Sequence, residues 1–336
     1  MESPGIIYDQ KLFNRDVRRD VRNCVLFLFF FYAVNLIASG IVMLISMVND
    51  PAFIQSVIGA AGGGLDDSGI QMNPEEIMGS LTNGPMLGLI SIVGIAAGGS
   101  VFLIYRKKRF FTDLALPSAE PMTPKIFIIL VVITQGIQIV YHYIVTAVDY
   151  LLPEGTSLAD SYGQVMDGLF TPIGLLYVVL IGPIFEELIF RGAVMGALRR
   201  FGDNYAILFS SLLFGFYHML ILQIPFAFVL GLLLGYVAAR WSLRASIALH
   251  IAVNGLSSLV SVSENETYQA VTMIIMITCA AASVIMAIKW RDKLKARVRS
   301  GAAYYANTYA YGFQSIAFWI FIVIMTLVGL IQMNLM

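Results

Sequence analysis

The chain has 336 residues, of which 58% are hydrophobic and 12% are charged, and its mean hydropathy is +0.80. Soluble domains are about 45–50% apolar and about 25% charged, so this composition excludes a soluble enzyme, a disordered protein, a nucleic-acid binder and a disulfide scaffold. Basic and acidic residues number 21 each, so the net charge indicates neither an acidic nor a basic partner. The composition predicts a polytopic membrane protein.

Nine apolar segments are long enough to be membrane helices. A helix rises about 1.5 Å per residue, so roughly 20 apolar residues cross a hydrocarbon core of about 30 Å. The segments are residues 23–48, 85–105, 126–149, 169–191, 205–222, 225–240, 245–262, 268–288 and 314–335. Gln223, Ile224 and Pro225 are predicted to form the turn between the fifth and sixth. The predicted fold is an all-α polytopic membrane protein, a bundle of about nine transmembrane helices (eight to nine).

The charged residues between these segments predict how the chain crosses the membrane. Cytoplasmic loops are enriched in Lys and Arg, and here basic loops alternate with acidic ones. The basic groups are Lys11 to Arg22, Arg106 to Arg109, Arg191 to Arg200, Arg240 with Arg244, and Lys289 to Arg299; the acidic groups are Asp50 to Glu76, Glu154 to Asp167, and Glu264 with Glu266. Nine crossings fit this alternation, with the N-terminus cytoplasmic and the C-terminus outside. Compact loops and the lack of a targeting segment favour a multi-pass protein of a prokaryotic cell membrane.

Four regions follow from this arrangement. Residues 1–22 are predicted to be a cytoplasmic arm, and residues 23–168 hold the first three helices with their outer loops. Residues 169–262 hold helices four to seven, and residues 263–336 hold the last two helices with a basic inner loop. Cys24 and Cys279, which lie far apart in apolar segments, are interpreted as core residues.

Two adjacent carboxylates interrupt the fourth apolar segment. An ionisable side chain within a membrane helix costs about 2.5–3.5 kcal/mol on insertion scales, so Glu186 and Glu187 require an explanation. Glu187 and Arg191 are four residues apart and share a helix face, where they can pair. Glu186 lies about 100° round the helix and has no partner nearby in the sequence. A lone carboxyl in a dry site would take up a proton, so Glu186 needs positive or hydrogen-bonding neighbours from other helices to act as a base.

Two of the three histidines lie in the helices that follow. Phe214 and His218 are four residues apart in the fifth segment, and His250 and Asn254 have the same spacing in the seventh, so each pair lies on one face. Imidazole transfers protons near neutral pH and is a common metal ligand. One Glu, two His and one Asn from three helices could therefore form a centre for water activation, in which the carboxylate takes the proton and the other groups hold the oxyanion.

Each of these residues also has a purely structural interpretation. The Glu187–Arg191 pair could join two helices, either histidine could bond a backbone carbonyl, and Asn254 could be interhelical glue. His142 is interpreted as structural because no other ionisable motif is near it. His218 is also predicted to lie about 20 Å deeper than the start of its helix, whereas His250 lies near the inner face. The two can meet only if the fifth helix is tilted, starts in the cytosol, or follows an extended fourth helix.

Three motifs in this order resemble those of the CPBP family, the CAAX proteases and bacteriocin-processing enzymes, also called the Abi family. They are Glu-Glu-x-x-x-Arg at Glu186, Glu187 and Arg191, Phe-x-x-x-His at Phe214 and His218, and His-x-x-x-Asn at His250 and Asn254. All three match without substitution, and the resemblance covers about residues 170–262. It implies that residues 169–262 are a CPBP-type catalytic core, in a helix bundle around a cavity open to the cytoplasm.

The resemblance also implies roles for these residues. Glu186 would be the base that activates water, His218 would position the water, and His250 and Asn254 would stabilise the oxyanion. Glu187, Arg191 and Phe214 would support the site. Glu186, His218 and His250 could also supply a zinc site with an open fourth position. The family is commonly called a metalloprotease family, yet a metal-free glutamate mechanism has also been argued for it, and no His-Glu-x-x-His helix is present to decide.

Two functions from different classes remain open. The first is an intramembrane endopeptidase that cuts a membrane-associated or lipophilic peptide. The alternative is a non-catalytic membrane scaffold or bacteriocin self-immunity protein of the same fold, for which the terminal helices and the basic segment 289–299 would be the working parts. The expected partners are membrane lipid, a peptide or protein substrate at the membrane and a further membrane protein, and no nucleic acid. A transporter is disfavoured because the polar residues cluster on three helices without an inverted repeat.

Overall fold

The computed structural model describes residues 10–49, 84–106, 121–151, 163, 168–261, 265–300 and 307–335. Within these ranges the chain forms helices and no strand, which confirms the all-α prediction. The ten helices are α1 (Gln10–Asn49), α2 (Gly84–Arg106), α3 (Pro124–Tyr150), α4 (Pro172–Phe201), α5 (Asp203–Tyr217), α6 (Gln223–Arg240), α7 (Leu243–Ser261), α8 (Glu266–Ser300), α9 (Thr308–Phe313) and α10 (Ile316–Leu335). Each of the nine predicted segments falls mainly on one helix, and α9 is an additional short helix.

Five of these helices are long and apolar enough to cross a membrane. They are α1, α3, α4, α6 and most of α8, and α2 and α10 contain shorter apolar stretches. Large apolar side chains on these helices are exposed, as on α8, where Ile274, Ile285 and Ile288 are each more than half exposed. Apolar side chains that are exposed along helices long enough to cross a membrane are suited to contact with lipid. The predicted orientation remains a prediction, since most of the acidic loop residues and Lys107 to Arg109 lie outside the described residues.

Three helices, α1, α4 and α8, extend well beyond their predicted apolar segments. α1 begins at Gln10, because Phe13, Val17 and Val21 repeat at four-residue spacing and are buried. The ring of Phe13 packs edge-on against Phe201 at 5.6 Å, and Arg200 binds Asp20 at 2.6 Å. Residues 10–22 of the predicted arm are therefore helical and pack against the C-terminal end of α4. α8 continues through the basic segment to Ser300, which was expected to be a loop.

The junction between α5 and α6 lies earlier than predicted. α5 ends at Tyr217, and Met219 has a left-handed backbone conformation with φ of 59° that stops the helix. α6 begins at Gln223 and therefore contains Pro225, which was assigned to the turn. Proline is tolerated there because the first turn of a helix has no acceptor for its missing N–H. This short α5 places His218 at the end of the helix.

The helix α4 lies at the centre of the bundle. It contacts α1, α2, α5, α6 and α7. The side chain of Thr171 caps its first turn by accepting from the backbone N–H of Gly174 at 3.1 Å. Two stretches of α4, Tyr177–Ile181 and Leu188–Met195, have π-helical hydrogen bonding. Glu186 and Glu187 lie between these two stretches.

The contact of α2 with the start of α4 leaves no room for a side chain at Gly88. A Cβ atom on Gly88 would lie 2.6 Å from the backbone nitrogen of Gly174. Gly88→Ala is therefore expected to lower the free energy of unfolding by about 1–3 kcal/mol, because two backbones must move apart. Thermal unfolding of the purified full-length protein in detergent measures this change.

Gly40→Ala is the matched control. Gly40 lies in α1, and a Cβ atom there would meet nothing within 4 Å. Because alanine favours the helix more than glycine does, this variant should be as stable as the wild type or slightly more so. Equal stability of the two alanine variants would contradict the close packing of α2 on α4.

Candidate active site

Glu186, His218, His250 and Asn254 line one cavity of about 250 Å³. α4 supplies Glu186, the C-terminal end of α5 supplies His218, and α7 supplies the other two. Tyr177 and Tyr217 also line this cavity. Each of the three motifs therefore contributes at least one polar side chain to this cavity, whereas the exposed His142 of α3 is not among its lining residues.

The carboxylate of Glu187 is fully buried and is bound by side chains on three sides. Arg191 lies 2.9 Å from its Oε1, and His250 donates from Nδ1 to the same oxygen at 3.1 Å. The hydroxyl of Ser246 donates to Oε2 at 2.5 Å. The expected i,i+4 pair with Arg191 is thus present, and two further partners come from α7. Glu187 is held as a fixed anion behind the cavity.

Arg191 is buried as deeply as its partner. Its guanidinium lies 4.3 Å from the centroid of the Phe214 ring, and its Nη2 donates to the backbone carbonyl of Gly231 at 3.2 Å. A cation over an aromatic face gains attraction when both are removed from water. Arg191 therefore links α4 to α5 through Phe214 and to α6 through Gly231.

The spacing of Phe214 and His218 has a geometric reason. His218 follows the last residue of α5, and its Nδ1 donates to the backbone carbonyl of Phe214 at 2.8 Å. A carbonyl only accepts, so Nδ1 carries the proton, and in the neutral ring Nε2 is the free acceptor. This bond is one that the structural interpretation allowed, and it also leaves Nε2 able to accept a hydrogen bond from water.

The two imidazoles meet at the ring of Phe214. The ring of His218 lies edge-on at 4.7 Å and that of His250 at 5.9 Å. Both histidines line the same cavity, and α4 continues to Phe201 before α5 begins, which is one of the three arrangements that the sequence analysis named. The ring of Phe214 therefore contacts both imidazoles.

The carboxylate of Glu186 is 3.7 Å from Nε2 of His250. Since Nδ1 of His250 donates to Glu187, the imidazole lies between the two adjacent carboxylates. Glu187 holds one side of the ring, and the other side faces Glu186, which itself lines the cavity. The adjacent glutamates thus have different surroundings.

Asn254 binds a backbone carbonyl that a proline leaves free. The N–H of Gly182 bonds to the carbonyl of Tyr177 in the π-helical turn, and the next residue in this pattern, Pro183, has no N–H for Val178. The side-chain amide of Asn254 donates from Nδ2 to the Val178 carbonyl at 2.9 Å. Asn254 therefore joins α7 to α4 through a hydrogen bond. Its amide has a second N–H, which lies beside the cavity.

The three expected zinc donors lie near one another in the site. Glu186, His218 and His250, the expected zinc donors, line the cavity together. Among the residues that the structure describes, however, no group of three or more His, Cys, Asp or Glu side chains is arranged to hold a metal ion. The donor set does not form a metal site in this arrangement, and the expected zinc site stays a prediction.

Sequence reasoning missed Ser246, Tyr177 and Tyr217. The signal for Ser246 was its position four residues before His250, which extends the polar face of α7 by one turn. The two tyrosines lie within apolar segments that are rich in aromatic residues, so no pattern distinguished them.

Comparison with known proteins identifies the segment that builds this site. The family model described as type II CAAX prenyl endopeptidase Rce1-like matches residues 168–256. No curated protein and no solved structure matches the chain. The matched residues include every member of the three motifs, so residues 168–256 of this helical membrane protein are similar to the CPBP family that the motifs indicated.

Proposed function

We propose that the protein is an intramembrane endopeptidase that hydrolyses a peptide bond of a membrane-associated or lipophilic peptide. The observation that carries this proposal is the shared cavity of Glu186, His218, His250 and Asn254. A base, a water-positioning acceptor and oxyanion donors must surround one point for hydrolysis, and these four side chains supply those groups.

The proposed reaction uses Glu186 as the general base. A water held by Nε2 of His218 gives a proton to the Glu186 carboxylate, and its oxygen attacks the carbonyl carbon of the substrate. The resulting oxyanion accepts a hydrogen bond from the second N–H of Asn254 and is stabilised further by the imidazole of His250. Glu186 then gives the proton to the amine nitrogen as the C–N bond breaks.

A second cavity supports a lipophilic substrate. It has a volume of about 690 Å³ and lies between α3, α4 and α7. Its lining is apolar except for Ser258 and includes Val179 and Gly255, the neighbours of the bonded pair Val178 and Asn254. A hydrocarbon chain could therefore lie one helix face away from the reacting peptide. The name of the matching family suggests a prenylated peptide as the first substrate to test.

The proposed location is a cell membrane, with the N-terminus in the cytoplasm. Lys11, Arg15, Arg18 and Arg19 lie on the first turns of α1, and cytoplasmic segments are enriched in such residues. The exposed basic end of α8 fits the same side. The expected partners are the surrounding lipid and the peptide substrate.

The test compares membranes that contain the wild-type protein with membranes that contain Glu186→Ala. Peptides cut by the protein should differ between the two samples in mass spectrometry, while equal amounts of folded protein are inserted.

The second candidate, a non-catalytic scaffold, is favoured by the exposed basic residues Lys289, Arg291, Lys293 and Lys295 on α8. It predicts identical peptides in both samples and a phenotype that is lost only when the terminal helices are removed.

A further inference from the structure

The side chain of Ser246 is fully buried one helical turn before His250. Its hydroxyl lies 2.5 Å from Oε2 of Glu187 and 3.0 Å from the backbone carbonyl of Leu234. A hydroxyl has one proton, and a bond to a carboxylate is stronger than one to a neutral carbonyl. The hydroxyl of Ser246 therefore donates its hydrogen bond mainly to the carboxylate of Glu187.

The two oxygens of Glu187 have different partners. Oε1 forms the ion pair with Arg191 and accepts the hydrogen bond of His250, whereas Oε2 accepts the hydrogen bond of Ser246. Contacts with both oxygens oppose rotation of the carboxylate about its last single bond. Without Ser246, Oε2 would be a buried acceptor without this donor, and the carboxylate could turn away from His250.

The face of α7 that carries Ser246 makes three polar contacts with α4. Ser246 and His250 bind the two oxygens of Glu187, and Asn254 binds the carbonyl of Val178. Residues four apart on a helix lie above one another, so these contacts form one row. Ser246 is the member of this row that does not line the cavity.

We infer that Ser246 is a positioning residue for the proposed hydrolysis, which acts through Glu187 on His250. It holds the carboxylate so that Glu187 accepts from Nδ1 of His250, and Nε2 then points to Glu186 and the cavity. This inference rests on the proposed function. It assigns no contact with substrate to Ser246 and predicts an effect on the chemical step instead of substrate binding.

The test measures kcat and KM of the full-length protein in detergent with an internally quenched peptide that carries a farnesylated cysteine. Ser246→Ala is expected to lower kcat about tenfold and to change KM by less than about twofold. Ser210→Ala is the matched control, because Ser210 is equally buried and donates at 2.7 Å to the carbonyl of Phe190 on another helix without touching Glu187. Its kcat should stay near that of the wild type.

A second pair of variants separates the hydroxyl from packing. Ser246→Thr and Ser246→Val add the same volume, but only threonine keeps the hydroxyl. The threonine variant should be about tenfold faster than the valine variant. Equal kcat values for these two, or for Ser246→Ala and Ser210→Ala, would overturn the inference.

The same measurements distinguish this inference from the proposed function. If the wild type leaves the probe uncut and membranes show no cleavage that depends on Glu186, the proposed function fails and the role of Ser246 fails with it. If cleavage depends on Glu186 but Ser246→Val matches Ser246→Thr, only the role of Ser246 is wrong.

Discussion

Glu187→Ala is expected to lower the free energy of unfolding by about 3–5 kcal/mol, because it leaves the guanidinium of Arg191 buried without its carboxylate. The side chains of this pair are 1% and 0% exposed, and the pair is 2.9 Å apart. The same substitution removes the acceptor of both Ser246 and His250. Thermal or denaturant unfolding of the purified protein in detergent measures the loss.

The chain offers a control of the same geometry on its surface. Arg199 and Asp203 are also four residues apart at 2.9 Å, but each side chain is 44% exposed. Asp203→Ala should change the free energy of unfolding by less than about 1 kcal/mol, because water replaces the lost partner. Similar losses for Glu187→Ala and Asp203→Ala would contradict the role of burial.

A double variant separates stability from activity. Glu187→Leu with Arg191→Met replaces the buried pair by apolar side chains and should recover most of the stability that Glu187→Ala loses. Its kcat should nevertheless be well below that of the wild type, because Nδ1 of His250 lacks its acceptor in this variant. This outcome would mean that the ion pair is kept for the site and not for the fold.

Local spacing made part of the fold and the site predictable. The apolar segments indicated the helices because a lipid-facing helix needs a long run of apolar residues. The pair of Glu187 with Arg191 followed from a four-residue spacing on one helix. The end of α5 did not follow, because it depends on the backbone conformation of Met219. The length of α1 was missed because its first turns are amphipathic and pack against Phe201 and its neighbours instead of lipid.

The contacts between helices could not be predicted from one sequence. The motifs indicated which residues belong to a site, but the bond of His250 to Glu187 and that of Asn254 to Val178 join residues more than 60 positions apart. Spacing along a helix gives the face of a side chain and not the atom that it meets. The Val178 carbonyl needs a side-chain donor because Pro183 lacks an N–H, and only the packing of α7 on α4 shows that Asn254 supplies it.

Glu186→Gln is expected to lower kcat by about 10²- to 10⁴-fold, because an amide cannot take the proton of the attacking water. KM should change little, since glutamine has the size of glutamate and fills the same part of the cavity wall. Stability should also change little, because the nearest ionic contact of this carboxylate, with His250, is 3.7 Å long. Steady-state cleavage of the farnesylated peptide and thermal unfolding measure these quantities.

The control for the loss of one carboxylate is Asp203→Asn, which lies in the exposed pair with Arg199 and should keep the kcat of the wild type. A Glu186→Gln protein that kept more than about a tenth of the wild-type kcat would contradict the role of Glu186 as the base.

The same purified protein tests whether cleavage requires zinc. Because the donor set does not fit a metal in this arrangement, wild-type cleavage should survive dialysis against EDTA and gain nothing from added zinc. Loss of cleavage on chelation, restored by zinc, would instead make Glu186 a metal ligand, and its replacement would then weaken zinc binding together with kcat.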